Sequence, residues 1–443
     1  MRRVDVHRPL HLGPTWWLLT SALLMFLLLS APLLSALGVP YDAPTGNFLV
    51  KIHPGSYMLM LTALVAWHGV GFRLDALGQS CREQPLLVAY LACMAACFAW
   101  AVGRHGPGGL AYFIDTLFMP AVAGLLIIRQ PAQARTVLLQ VVMVVLLCNA
   151  ALAIAEYIVK AHLVPGVMGA GELYDDEFFR SAAILGHPLT NAKVTVTALP
   201  FVMALPWATR WRVAAAVLLS MALLAFGGRT SIAMGAGVYG SVGLAVLLRR
   251  IVAGHFSYLQ LTGGSLGVVL GGVFVAMAIM ASGLGDRIFH GFTWDNSADT
   301  RILAWRTLDH FNGLDLWLGW PISQIEHVAE RVGIDLQFGT IENFWIYQFL
   351  LLGIIGFVPF VLGLVLLVAH LVRRATPVLW LAIFVYFVVA SGTNSLASKT
   401  VSLLMLSVLV HATVSKRARR TSPGHHGHGQ RLNSMNSMNR GWA

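Results

Sequence analysis

The chain has 443 residues, of which 57% are hydrophobic and 11% charged, and a formal net charge of +11. Soluble domains carry about 25% charged residues, so a chain of this composition cannot cover its apolar surface in water, and a soluble enzyme is excluded. The basic excess does not point to nucleic acid, because most Arg and Lys residues stand singly or in pairs in short gaps between apolar runs, where they fix membrane orientation.

A helix needs about 20 apolar residues to cross the hydrocarbon core. That ruler reads the chain as all-α, a polytopic integral membrane protein with about 12 transmembrane helices and one long outer loop. Arg2, Arg3 and Arg8 precede a first apolar run that is too long for a signal peptide and lacks a small-residue cleavage site, so it is read as a retained span that starts inside. In chain order the spans fall at about 15–38, 55–73, 84–103, 109–128, 136–160, 190–208, 211–227, 230–249 and 261–283. After a polar interval come spans at about 343–370, 377–391 and 399–414.

An even number of spans puts both basic termini on one side, taken as the cytoplasm. Each inner gap then holds a basic pair: Arg73 and Arg82, Arg129 and Arg135, Arg210 and Arg212, Arg249 and Arg250, Arg373 and Arg374. Residues 1–420 are read as a single transmembrane domain with outer loops at about 161–189 and 284–342. Residues 421–443 are read as a disordered cytoplasmic tail. Cys81, Cys93, Cys97 and Cys148 fall in or beside spans without metal-ligand or disulfide-framework spacing and are assigned to packing.

Three outward arginines stand at membrane edges, where a guanidinium can meet an anion at headgroup depth. Arg180 lies just before the span that opens at Pro188-Leu189-Thr190-Asn191, and a helix N-terminus there adds its positive end and free amides, a combination that suits phosphate. Arg229 follows Gly227-Gly228 in a tight turn that lets the backbone approach a ligand, with Thr230 or Ser231 available to cap the next helix. A snorkelling Arg that marks the interface is the plainer reading. Arg301 and Trp305 lie one turn apart on an amphipathic stretch of the long loop.

Glu342-Asn343 stands at the mouth of the next span, where a carboxylate can serve as a general base or simply favour the helix dipole. His187 and His310 are candidate bases, although a lone loop His is more often a hydrogen-bonded surface residue. Lys193 and Lys399 lie near span ends and suit either phosphate contact or interface anchoring. Asp115 and Glu156 are isolated carboxylates inside spans, the feature a transporter or flippase of lipid-linked sugars would need.

Together these motifs resemble the O-antigen ligase and polymerase superfamily, bacterial membrane glycosyltransferases that act on undecaprenyl-diphosphate-linked glycans. The resemblance is carried by an Arg before Gly186-His187-Pro188-Leu189-Thr190-Asn191, a small-residue turn with Arg229, an Arg301-x-x-x-Trp305 stretch, and Glu342-Asn343 opening a span that continues to Gly353-x-x-Gly356. It covers about residues 140–370 in detail. It implies transfer on the periplasmic face of the inner membrane, with inversion and without a metal ion or other cofactor. Arg180 and Arg229 would clamp the donor diphosphate and Arg301 would add a contact. Glu342 would act on the acceptor hydroxyl, with His187 and Asn343 as further substrate contacts.

Ligases of the family show His-Asn where this chain has Glu342-Asn343, which favours a polysaccharide polymerase whose acceptor is another lipid-linked glycan. A ligase delivering glycan to lipid A-core or protein is the alternative, and a flippase the second. The implied partners are the lipid-linked oligosaccharide donor, a glycan acceptor and membrane lipids, with a chain-length regulator as a candidate protein partner and no nucleic acid.

Overall fold

The apolar runs form helices, and proline opens many of them, since its fixed φ suits the first turn and its missing N–H is not needed there. Such starts are seen in α1 (Pro14–Leu28), α3 (Pro54–His68), α5 (Pro85–His105), α8 (Pro188–Ala198) and α15 (Pro377–Ser391). The other described helices are α2 (Ala31–Ala36), α4 (Leu74–Glu83), α6 (Met119–Ile128), α7 (Ala132–Val159), α9 (Thr209–Phe226), α10 (Arg229–Met234) and α11 (Gly240–Val252). They continue with α12 (Gly313–Leu318), α13 (Ile322–Arg331), α14 (Phe344–Arg374) and α16 (Ser402–Ala412).

The computed structural model describes residues 12–42, 47–165, 179–254, 302–334 and 341–413, and the chain through Thr413 forms one unit. The expected span at 261–283, Arg301 and the tail from 421 lie outside the described residues. The structure is all-helical, 77% helix with no strand among the described residues. Helices α5, α7, α9 and α14 are long and apolar enough to cross a membrane. Outward-facing Val213 and Val217 on α9 and Val358, Leu362 and Val365 on α14 give the bundle an apolar exterior in keeping with lipid.

Several expected spans are interrupted rather than continuous. The run at 15–38 breaks after Leu28, and the Leu29 carbonyl accepts from His53 Nε2 at 2.7 Å while His53 Nδ1 caps α3 by accepting from Gly55 N at 3.0 Å. The run at 109–128 enters α6 through a wider π turn, Phe113–Phe118. The run at 190–208 ends its α-helix at Ala198 and tightens into a 3-10 turn, Leu199–Ala204, around Pro200. The last expected span begins as helix only at Ser402, because residues 392–401 are unwound. Between α3 and α5 the chain folds into α4, at whose start the exposed Arg73–Asp75 pair adds little stability.

The longest helix, α14, is broken at Gly353, whose backbone sits at φ 58 and ψ −177, a region open essentially to glycine. The break frees carbonyls from the i→i−4 ladder, and in a membrane each must find a donor. Trp320 N donates to Leu350 O at 2.7 Å, His105 Nε2 to Leu351 O at 3.0 Å, and Trp100 Nε1 to Leu352 O at 2.9 Å. Gly319 packs backbone to backbone against Gly353, so the turn between α12 and α13 plugs directly into the break.

A Cβ at Gly353 would lie 2.5 Å from both Gly319 N and Trp317 O, besides requiring a forbidden backbone region. Gly353→Ala is therefore expected to destabilise the fold by about 3 kcal/mol or more, measurable as a lowered thermal midpoint in detergent. Gly243→Ala, at a position with open space around the added methyl group, is expected to leave that midpoint unchanged.

Candidate functional site

Glu156, near the end of α7, is fully buried, so its carboxylate must be met by donors. Oε2 accepts from Ser181 Oγ at 2.6 Å, Ala182 N at 3.1 Å and Ala183 N at 2.9 Å, while Oε1 accepts from Leu163 N at 3.0 Å. One α-helical face below, Asn149 Oδ1 accepts from Ile184 N at 2.9 Å, and its Nδ2 donates to Asn191 Oδ1 at 2.7 Å. Asn191 Nδ2 in turn donates to Ala182 O at 2.5 Å and His187 O at 3.1 Å. These bonds pin residues 181–187 as an irregular segment against α7 and α8, and they hold Ala183 at φ +40, which an alanine adopts only when its surroundings enforce it.

The same segment is tied to α9, since Ser181 N donates to Ala225 O at 3.1 Å. Helix α9 then ends in Gly227 with left-handed geometry (φ 64), and Gly228 packs against Ala192 of α8 so closely that a Cβ would stand 2.7 Å from the Ala192 Cβ. Arg229 begins α10 immediately afterwards. Arg180 and Arg229 thus leave the backbone from two segments held at one end of the bundle, both against the first turns of α8. Both are half-buried. Gly228, rather than Thr230 or Ser231, occupies the cap position of α10, and no side chain caps it.

His187 precedes Pro188 and keeps solvent-accessible surface although much protein surrounds it. Loss of bulk water, followed by the charges of Arg180 and Lys193, pushes its ring down to about 4, so it is neutral at physiological pH. Lys193 is only 1% exposed, which excludes its reading as an interface anchor; its ammonium donates to Thr393 Oγ1 at 3.2 Å.

Thr393 belongs to the unwound segment 392–401 and also receives Phe344 N on its carbonyl at 3.2 Å. That bond brings the mouth of α14, with half-buried Glu342, to the junction where Lys193 ends. Asn343 is committed to local structure through its side-chain oxygen, which caps α14 by accepting from Trp345 N at 2.9 Å and Ile346 N at 3.3 Å. Lys193 and the start of α14 beside Glu342 thus meet at Thr393, while Arg180 and Arg229 stand on segments packed against the same α8. Arg301 lies outside the described residues, and its expected neighbour Trp305 is exposed. His310, in the 3-10 turn Thr307–His310, is likewise exposed.

A second buried carboxylate serves the neighbouring connections. Asp115 accepts from Ser56 Oγ at 2.6 Å, Tyr41 Oη at 2.9 Å and His53 N at 3.1 Å. Lys399 bonds the Tyr41 carbonyl and lies 3.6 Å from Asp42. Asn149, Gln348, Thr116 and Thr393, none of them among the candidate residues read from the sequence, supply polar joints of this region. Comparison with protein-family models and with curated proteins finds no match.

Glu156→Ala removes the acceptor for several amides and a hydroxyl, and is expected to lower stability by about 3 kcal/mol. Hydrogen exchange should show lost protection confined to residues around 181–187, with the α5–α14 contact unchanged. For His187, ring NMR shifts should titrate near 4 rather than near the ordinary 6.5. Below pH 6.5 the unfolded chain takes up a proton that the folded chain refuses, so His187 erodes stability as pH falls towards 4. His187→Gln should flatten that acid limb in thermal melts.

Proposed function

We propose that the chain is a polysaccharide polymerase of the bacterial inner membrane, spanning it about 12 times with both termini in the cytoplasm and its site facing the periplasm. It transfers an oligosaccharide from an undecaprenyl-diphosphate donor to a sugar hydroxyl of another lipid-linked glycan. The acceptor oxygen attacks the anomeric carbon, the bond from that carbon to the phosphate oxygen breaks with inversion, and undecaprenyl diphosphate leaves. Arg180 and Arg229 neutralise the charge that develops on the leaving diphosphate, and fixed guanidinium groups do so without reorganising at the moment of reaction. Glu342 takes the hydroxyl proton.

The observation that carries this reading is the clamping of residues 181–187 to α7, α8 and α9, because it sets Arg180 and Arg229 at one end of the bundle against the same helix start. A phosphate-sized anion there meets two guanidinium groups and a helix N-terminus together. Glu342 in place of His supports polymerase over ligase. The flippase reading loses its support at Asp115 and Glu156, since both carboxylates are engaged by several donors as struts for connecting segments.

Purified protein given a short lipid-linked repeat unit is expected to produce a ladder of longer glycans that remain lipid-linked. Unchanged donor, with a confirmed native substrate, would overturn the reading, and glycan delivered to a non-isoprenoid acceptor would convert it to ligase. Arg180→Ala and Arg229→Ala should each lower kcat/KM by about 100-fold or more with membrane insertion intact. Glu342→Gln should lower kcat by about 100-fold with little change in KM, whereas near-normal turnover would leave Glu342 a structural role.

A further inference from the structure

Lys193 presents a chemical problem that the proposed transfer leaves unsolved. Its side chain is 1% exposed, and its ammonium has three protons to donate but one protein acceptor, Thr393 Oγ1, among the described residues. Thr393 Oγ1 gives its own proton within the unwound segment, where it contacts Ala390 O at 3.0 Å and Ser395 Oγ at 3.0 Å. No carboxylate lies within ion-pair distance of Lys193 among the described residues. A buried ammonium in that condition is strongly unfavourable unless it gives up a proton or an anion joins it.

The surroundings say what kind of anion fits. Lys193 stands in α8 above a helix start whose Leu189 and Thr190 amides precede the first intrahelical bond, from Asn191 N to His187 O. His187 precedes the first turn of α8, Arg180 adjoins the segment that Asn191 pins against that helix start, and Lys193 stands further along the same helix. A helix start, a guanidinium beside it and a buried ammonium along the same helix suit an extended, multiply charged anion better than a single carboxylate.

We infer that Lys193 is a binding residue for the substrate's diphosphate, holding it between the first turns of α8 and the Thr393 hydroxyl. This rests on the polymerase reading above and adds to it a buried contact that the arginines at the membrane edge do not supply. It also gives the unwound segment 392–401 a role: Thr393 orients the ammonium and joins it to the mouth of α14, where Glu342 stands.

The test compares wild-type protein with Lys193→Met, Lys193→Arg and Thr393→Val in detergent. It measures affinity for undecaprenyl diphosphate, undecaprenyl monophosphate and inorganic pyrophosphate, together with the thermal midpoint without ligand. Lys193→Met is expected to weaken undecaprenyl diphosphate binding by about tenfold or more, to erase the preference over monophosphate, and to leave the midpoint unchanged or raised, since a buried charge has been replaced by an apolar chain of similar length. Lys193→Arg should recover part of the affinity, and Thr393→Val should lose about threefold.

Wild-type affinity in Lys193→Met, or a lowered midpoint with affinity retained, overturns the assignment. If Lys193→Met fails to insert, the other variants decide: wild-type affinity in both Lys193→Arg and Thr393→Val overturns it. Inorganic pyrophosphate binding as tightly as the lipid would refute a lipid-linked ligand. The two claims part company experimentally. A wild-type glycan ladder with an indifferent Lys193→Met sinks only the lysine assignment; Lys193-dependent diphosphate binding without a ladder sinks only the polymerase.

Discussion

Wherever this chain interrupts a helix inside an apolar environment, some other residue must take over the hydrogen bond that the helix gives up, because lipid offers none. Leu29 is served by His53, the carbonyls just before Gly353 by Trp320, His105 and Trp100, and the unwound segment 392–401 by Thr116, which donates to Ser398 O at 2.8 Å and receives Thr400 N at 3.0 Å. Each substitute donor comes from a distant part of the sequence. The interruptions therefore act as fasteners between helices, and the tertiary structure is specified by polar joints within an otherwise uniform apolar interior.

The two buried carboxylates apply the same logic to connections. Asp115 joins Tyr41 to His53 and Ser56, and Glu156 joins Leu163 to Ser181, Ala182 and Ala183. Each sits within a long apolar run and satisfies several donors that would otherwise be stranded in a poorly hydrated place. The candidate side chains are carried by what these carboxylates hold. His187 ends the segment that Glu156 and Asn149 secure and Arg180 directly precedes it, so their positioning is done by residues that never need to touch a substrate.

Length and hydropathy in the sequence were enough to locate α5, α7, α9, α14 and α15 to within a few residues, since an apolar run bounded by proline or arginine has little choice but to form a helix. The breaks were not legible in the same way. Gly353 lies in unbroken apolar sequence, and its neighbouring Gly356 made it look like part of a small-residue motif; only the approach of Gly319 from another segment requires it to be glycine. The unwound segment did leave a signal in Ser391-Gly392-Thr393-Asn394-Ser395, a run of turn-forming residues that hydropathy averages away.

The site was legible as a set of charges and not as an arrangement. Arg180, Arg229 and Glu342 are conspicuous because they are charged at the edges of apolar runs. Asn149 and Glu156 are joined to the 181–187 segment across more than twenty residues, and such pairings leave no local pattern. Lys193 shows why position along a helix is a poor guide: near a span end it resembles an anchor, but α8 is enclosed by other helices and its lysine is buried. Asn343 shows the reverse, a residue that looks like a ligand contact and spends its oxygen on a helix cap.

The interruption at Gly353 also changes what α14 is mechanically. A continuous helix is a stiff rod, because bending it stretches the ladder along its length. Here the ladder is absent at one level and the joint is braced from outside, by two side chains of α5 and one backbone amide of the 317–320 turn. The short upper rod, which begins beside Glu342 and Thr393, and the long lower rod, which ends at Arg374, are thus separate levers on a shared pivot, and the pivot's stiffness resides in residues that belong to neither.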